Sequence, residues 1–195
     1  MSTFVKNVLC LTLITIVAGF GLGYVYDVTK EPIAQMEENT KLSAYKSVLP
    51  DAASFSESDA ETVYTSSVAG CDIDSVVTGL DASGSVAGYV INVTSHEGYG
   101  GDITISMGID KEGCVRGVEF LKIAETAGLG MKAKDSKFKD QFKDKTVTQF
   151  TYTKNGATSD FEIDAISGAT ITTKAVTNAV NAGLACFNSL GGGTK

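Results

Sequence analysis

The sequence predicts an α+β protein: a single N-terminal transmembrane helix, then a domain in which helices pack on a twisted, mainly antiparallel sheet. Three observations carry this reading. Residues Asn7 to Tyr26 hold no charged side chain. Between Thr62 and Ala124 the chain offers five segments rich in Val, Ile and Thr, separated by turn residues. From Thr172 to Phe187 an apolar stripe recurs at helical spacing, through Val176, Ala179, Val180, Gly183, Leu184 and Phe187. The whole chain is 195 residues long, which suits about one domain plus an appendage.

The appendage comes first. Twenty residues at about 1.5 Å each reach across a hydrocarbon core of about 30 Å, so residues 7–26 suffice as a membrane helix. Lys6 and the amino terminus precede it, and Asp27, Lys30 and Glu31 follow. This arrangement fits a cytoplasmic N-terminus and an exported C-terminal part. A cleaved signal sequence is the competing reading, but Gly21-Leu22-Gly23 is a poor cleavage site and the apolar run is long for one. Thr29 to about Val48 reads as a helical connector with Pro32 in its first turn and Pro50 beyond its end. Residues 51–59 read as a polar loop.

The five expected strands are 63–68, 75–80, 86–94, 103–109 and 115–123. Two of the turns between them have identical spacing: Asp81-x-x-Gly84-x-Val86-x-Gly88 and Asp110-x-x-Gly113-x-Val115-x-Gly117. Each reads as an Asp-initiated hairpin turn with glycine where a positive φ is needed. A short helix is expected over Ser136–Lys143 with Phe138 and Phe142 on one face, then a strand over 146–154. The final helix follows, with Thr172 or Thr173 able to cap it.

Fifteen of the 16 basic residues and all 23 acidic ones follow residue 26. So acidic a domain is unsuited to nucleic acid or to an anionic lipid surface. Cys10, Cys71, Cys114 and Cys186 show no metal-binding spacing and read as small core residues. His96 is the sole histidine and reads as a surface residue. Neither a nucleophile–base triad nor a nucleotide-binding glycine loop is present.

Three loops carry the chemistry. Asp164-Ala165-Ile166-Ser167-Gly168-Ala169-Thr170 runs straight into the last helix. A helix start presents unpaired N–H groups and the positive end of the helix dipole, so a phosphate can sit there. Gly168 and Ala169 let a ligand approach the backbone, and Thr170 adds a hydroxyl. The second loop is Glu125-Thr126-Ala127-Gly128-Leu129-Gly130, and the third is Gly98-Tyr99-Gly100-Gly101-Asp102-Ile103, where Tyr99 is able to lie against a flat ring.

In chain order, Gly-Tyr-Gly-Gly-Asp-Ile, then Glu-Thr-Ala-Gly-Leu-Gly, then Ser-Gly-Ala-Thr, the three loops resemble those of the FMN-binding domain found in the G subunit of Rnf electron-transport complexes, the ion-translocating ferredoxin:NAD oxidoreductases. The C subunit of the sodium-pumping NADH:quinone reductase is a more distant likeness. The resemblance implies FMN joined covalently through its phosphate to Thr170 by a flavin transferase. Ser167, Gly168 and Ala169 would then shape the phosphate end. Glu125, Thr126, Gly128, Leu129 and Gly130 would line the ring or ribityl chain, and Tyr99 would stack on the ring. Asp164 would either assist attachment or brace the loop. The family's second loop has proline where this chain has Ala127.

The implied role is an electron relay among the other members of the Rnf complex, without independent substrate catalysis. The implied location is the cytoplasmic (inner) membrane, with the FMN domain outside. A quinone-reductase carrier and a stand-alone extracytoplasmic flavoprotein are the alternatives. The expected organisation is residues 1–6 as cytoplasmic N-terminus, 7–26 as membrane helix and 27–60 as connector helix and loop. Residues 61–190 form the FMN-binding domain and 191–195 a flexible tail.

Overall fold

The computed structural model describes residues 3–57, 64 and 66–191. The chain divides into two compact units at Thr40/Lys41. The described residues of the first unit are all helical. They belong to α1, which runs unbroken over Thr3–Val48. Pro32 therefore lies inside a helix and does not begin one. Proline costs that helix one N–H bond and some steric strain, which the helix-favouring residues on either side outweigh. Phe4, Leu9, Leu13, Ile16, Phe20 and their apolar neighbours are exposed. The helix is long and apolar enough to serve as a single-pass anchor.

The second unit contains a five-stranded antiparallel sheet in sequential order. Its strands are β1 (Ser54–Glu57), β2 (Cys71–Leu80), β3 (Val86–Ser95), β4 (Ile103–Asp110) and β5 (Val115–Lys122). The four longer strands match expectation to within a few residues. β1 falls where a polar loop was expected, because Ser54 to Glu57 pair with Leu80 to Val77 as an edge strand. The strand expected over 63–68 is not found: Tyr64 and Ser66 to Val68 are not in a strand, and residues 63 and 65 lie outside the described residues.

Both faces of the sheet are covered, so the strands read as nearly continuous apolar runs. On one face Ile73, Val76, Ile91, Val93, Ile105 and Met107 meet α3 (Thr170–Ser189) and the segment before it. On the other, Val77 and Val90 meet Tyr45, Val48 and Leu49 at the end of α1. Four glycines lie beneath that helix end, and three of them make room for it. Gly79 pairs with Gly88 and Gly108 with Gly117 across the strands. A Cβ at Gly108 would run into the Val48 carbonyl, and one at Gly79 or Gly88 would press on Leu49. This explains the repeated spacing in the sequence. Gly84 and Gly113 hold φ +81° and +87° in the turns, while Gly88 leaves room for the Ile109 carbonyl and Leu49, and Gly117 lies under Val48, where a Cβ would make ordinary contact. Asp81 and Asp110 accept backbone N–H bonds within their turns, as their Asx-type spacing predicts.

A buried polar chain also fixes the helix end. Asn92 Nδ2 donates to Tyr45 Oη (2.7 Å) and Ser75 Oγ (2.8 Å), and Ser106 Oγ donates to Asn92 Oδ1 (2.5 Å). Beyond β5 come a 3₁₀ turn (Gly130–Lys134), α2 (Ser136–Lys139) and a second 3₁₀ turn (Asp140–Phe142). The strand expected over 146–154 is only β6 (Thr151–Thr153), paired in parallel with β7 (Glu162–Asp164).

His96 is the surface residue expected, and it has two acidic partners. Its ring lies between Asp102 (2.9 Å) and Asp72 (3.0 Å), clasping the ends of β2, β3 and β4. These two carboxylates raise its pKa to about 8. Because the folded value lies above the unfolded one, the stabilisation is full below about pH 6.5 and fades as pH rises through about 8. Proton NMR of this single histidine is expected to show a midpoint near 8 that falls toward 6.5 in Asp72→Asn/Asp102→Asn. A wild-type midpoint at or below 6.5 contradicts the clasp.

Candidate functional site

The three loops singled out in the sequence converge on one cleft of about 530 Å³, lined by Tyr99, Thr126, Leu129, Gly130 and Gly168 to Thr172. That volume lies within the usual range of small-molecule sites, about 300–1,000 Å³. They converge because each leaves the same end of the scaffold: one joins β3 to β4, one follows β5, and one leads β7 into α3.

Two of the loops contain the same turn. Leu129 N–H donates to Thr126 O (3.1 Å), with Gly128 at φ +76°. Ala169 N–H donates to Ile166 O (3.0 Å), with Gly168 at φ +78°. Both have the type II pattern, in which glycine supplies the positive φ at the third position. The turns touch, since a Cβ on Gly168 would lie 3.1 Å from Leu129 Cδ2. Ala127 occupies the second position of its turn, where proline's fixed φ is favoured. Ala127→Pro is therefore expected to stabilise the domain by about 0.4–1 kcal/mol, read as a higher urea midpoint. A lower midpoint would show that the turn geometry is different.

Glu125 is buried, and its carboxylate is turned toward the backbone of the neighbouring loop. Its Oε1 accepts the N–H groups of Tyr99 (2.8 Å) and Gly100 (3.3 Å). Side chains at Gly98 or Gly130 would collide with the same carboxylate. Glu125 thus joins the loops to each other instead of presenting itself to the cleft. Glu97 makes a second clasp, accepting from Lys174 Nζ (2.8 Å) and Asn178 Nδ2 (2.6 Å) on α3. Those partners hold its pKa below the usual carboxylate range. Sequence reasoning did not find this clasp, because nothing local links Glu97 to residues 77 and 81 positions away.

The α3 N-terminus forms the cleft floor. Its cap residue is Ala169, which makes no side-chain cap bond, and the first helical bond runs from Thr173 N–H to Ala169 O (3.0 Å). Thr170, Ile171 and Thr172 therefore start the helix with N–H groups that have no intrahelical partner. The Thr170 side chain is half-buried on the cleft and makes no hydrogen bond to a described residue. Thr172 and Thr173 are 1% and 0% exposed. At the mouth, Tyr99 and Leu129 are 71% and 43% exposed, apolar surface of the kind a flat ring covers.

Ser167 lies on the other side of the motif segment. It lines a separate groove with Lys132, Asp135, Lys137, Phe138, Gln141 and Asp164 to Ile166. There Asp164 Oδ1 accepts from Ala157 N–H, and the Asp164 N–H donates to Gln141 Oε1 (2.7 Å). In this geometry Asp164 braces the loop. Glu125 and Gly128 are the other expected residues that do not line the cleft.

The fold and the three loops define an FMN-binding domain. A family model of that description matches residues 98–185. The similarity extends over nearly the full chain to the G subunits of ion-translocating complexes. That of the Na(+)-translocating ferredoxin:NAD(+) oxidoreductase complex of Acetobacterium woodii is 34% identical over 188 residues, 93% of this chain and 90% of that protein. That of the ion-translocating oxidoreductase complex of Methanosarcina acetivorans is 34% identical over 180 residues, 90% of each. The crystal structure of NqrC from Shewanella oneidensis shares the fold, with TM-score 0.50, 21% identity and 60% of each chain covered. The chain belongs to the G-subunit family of ion-translocating oxidoreductase complexes.

Proposed function

We propose that this protein carries electrons within a membrane-bound ferredoxin:NAD oxidoreductase complex, through FMN joined by a phosphoester to Thr170, with its sheet domain on the extracytoplasmic side. The observation that carries the proposal is the state of Thr170. Its side chain lines the cleft, makes no hydrogen bond to a described residue and stands at the start of an uncapped helix. Thr172 also borders the cleft, but it is 1% exposed and Thr173 is 0% exposed, whereas Thr170 is only half-buried and so open to a ligand.

The residues fit the cofactor. The N–H groups of Thr170, Ile171 and Thr172, with the helix dipole, suit a phosphate monoanion. Gly168 and Ala169 leave the backbone open to it. Thr126, Leu129 and Gly130 bound the cleft toward its mouth, where Tyr99 offers a face for stacking. Glu125 acts through Tyr99 and Gly100 by holding that loop in place. When bound, FMN supplies the redox chemistry, and the protein supplies attachment, orientation and exclusion of water. A covalent tether suits an exported domain, because it keeps the cofactor's effective concentration high where a free one would diffuse away.

The test uses membranes that contain the whole complex. Thr170→Val in this chain is expected to lower ferredoxin-driven NAD reduction at least about a hundredfold, with the rest of the complex still assembled; each lost tenfold corresponds to about 1.4 kcal/mol of barrier. An unchanged rate would remove Thr170 from the electron path.

A further inference from the structure

Thr173, expected as a possible cap of the last helix, lies inside α3, whose cap is Ala169. It is 0% exposed and does not line the cleft. Its hydroxyl accepts the N–H of Ile166 (3.0 Å) and donates to the carbonyl of Ala169 (2.9 Å). These are the two end residues of the Ile166-Ser167-Gly168-Ala169 turn, itself closed by Ala169 N–H to Ile166 O. One side chain therefore staples both ends of the turn that delivers Thr170. The same Ala169 carbonyl also takes the first helical bond, from Thr173 N–H (3.0 Å). The staple thus ties the turn directly to the first turn of α3.

We infer that Thr173 is the positioning residue for flavin attachment: it holds the 166–169 turn so that the helix begins at Thr170 with the Thr170 hydroxyl turned into the cleft. The inference rests on the proposed attachment at Thr170. In that step Thr170 Oγ bonds to the phosphorus of the FMN half of a flavin dinucleotide. The phosphoanhydride P–O bond breaks, the adenylate leaves, and the hydroxyl proton passes to a base on the transferase. Such a displacement needs the attacking oxygen in line, and a misplacement of about 1 Å costs about a hundredfold in rate. Binding of the loop by the transferase depends on its exposed surface and not on this buried hydroxyl. Loss of the staple is therefore expected in kcat and not in KM.

The experiment measures initial rates of FMN transfer from flavin dinucleotide to the full-length chain by purified flavin transferase, over a range of chain concentrations, with thermal melting of each variant alongside. Thr173→Val is isosteric and removes both bonds. It is expected to lower kcat about tenfold or more with KM within about twofold. Thr173→Ser keeps the hydroxyl and is expected to retain at least about a third of the wild-type kcat. A folded Thr173→Val with wild-type kcat would overturn the inference. If Thr173→Val does not fold, Thr173→Ser decides, and a folded Thr173→Ser that loses kcat would overturn it. Failure of the underlying reading looks different: the wild type takes up no flavin, or Thr170→Val is labelled as readily as the wild type.

Discussion

Thr170→Val gives a folded, colourless protein, whereas Thr170→Ser still acquires flavin. Valine matches threonine in shape, and the Thr170 hydroxyl makes no bond to a described residue that the fold would miss. The melting temperature is accordingly expected to stay within about 2 °C of wild type, as for other surface substitutions near ±0.5 kcal/mol. The nucleophile alone is lost, so yellow colour that survives denaturation disappears completely. Serine keeps the hydroxyl on a less restricted rotamer and should be labelled more slowly. A Thr170→Val protein that stays yellow after denaturation would place the attachment elsewhere.

Phe142→Ala is expected to cost the most stability, about 3–5 kcal/mol. Phe142 is fully buried. Its ring meets Phe138 edge-on at 5.7 Å and Phe150 at 5.1 Å, forming a three-ring stack. Removing the middle ring leaves a cavity with aromatic walls on both sides and forfeits two edge-to-face contacts. The loss reaches the site's support, because Phe150 is bracketed by Asn181 of α3 through two backbone bonds. Urea unfolding should show a lower midpoint at constant m. A loss under about 1 kcal/mol would mean that the stack relaxes to fill the space.

The parts of the fold that local pattern determines were legible. The charge-free run of residues 7–26, the strands β2 to β5 and the final helix each announce themselves through composition and period. The three site loops were legible too, since glycine, small residues and one threonine in a fixed order are enough to mark them. What escaped depends on contacts between distant residues. Ser54 to Glu57 become a strand only because β2 offers an open edge. The helix through Pro32 is a separate case, continuous because the helix-favouring residues on either side outweigh one missing bond. β7 is three residues long and owes its form to β6. Glu125 looked like a ligand-facing acid, but its carboxylate serves the Tyr99 and Gly100 amides, 26 and 25 positions away. The repeated Asp-x-x-Gly-x-Val-x-Gly spacing was visible, but its second glycine gained a meaning only when the end of α1 was seen resting on it.

The most direct test of the covalent carrier is peptide mapping of the full-length protein made together with a flavin transferase. Trypsin releases residues 155–174, which contain Ser167, Thr170, Thr172 and Thr173. This peptide should gain the mass of FMN less one water, with fragmentation placing the whole increment on Thr170. An unmodified peptide despite an active transferase, or an increment on any other residue, would contradict the account.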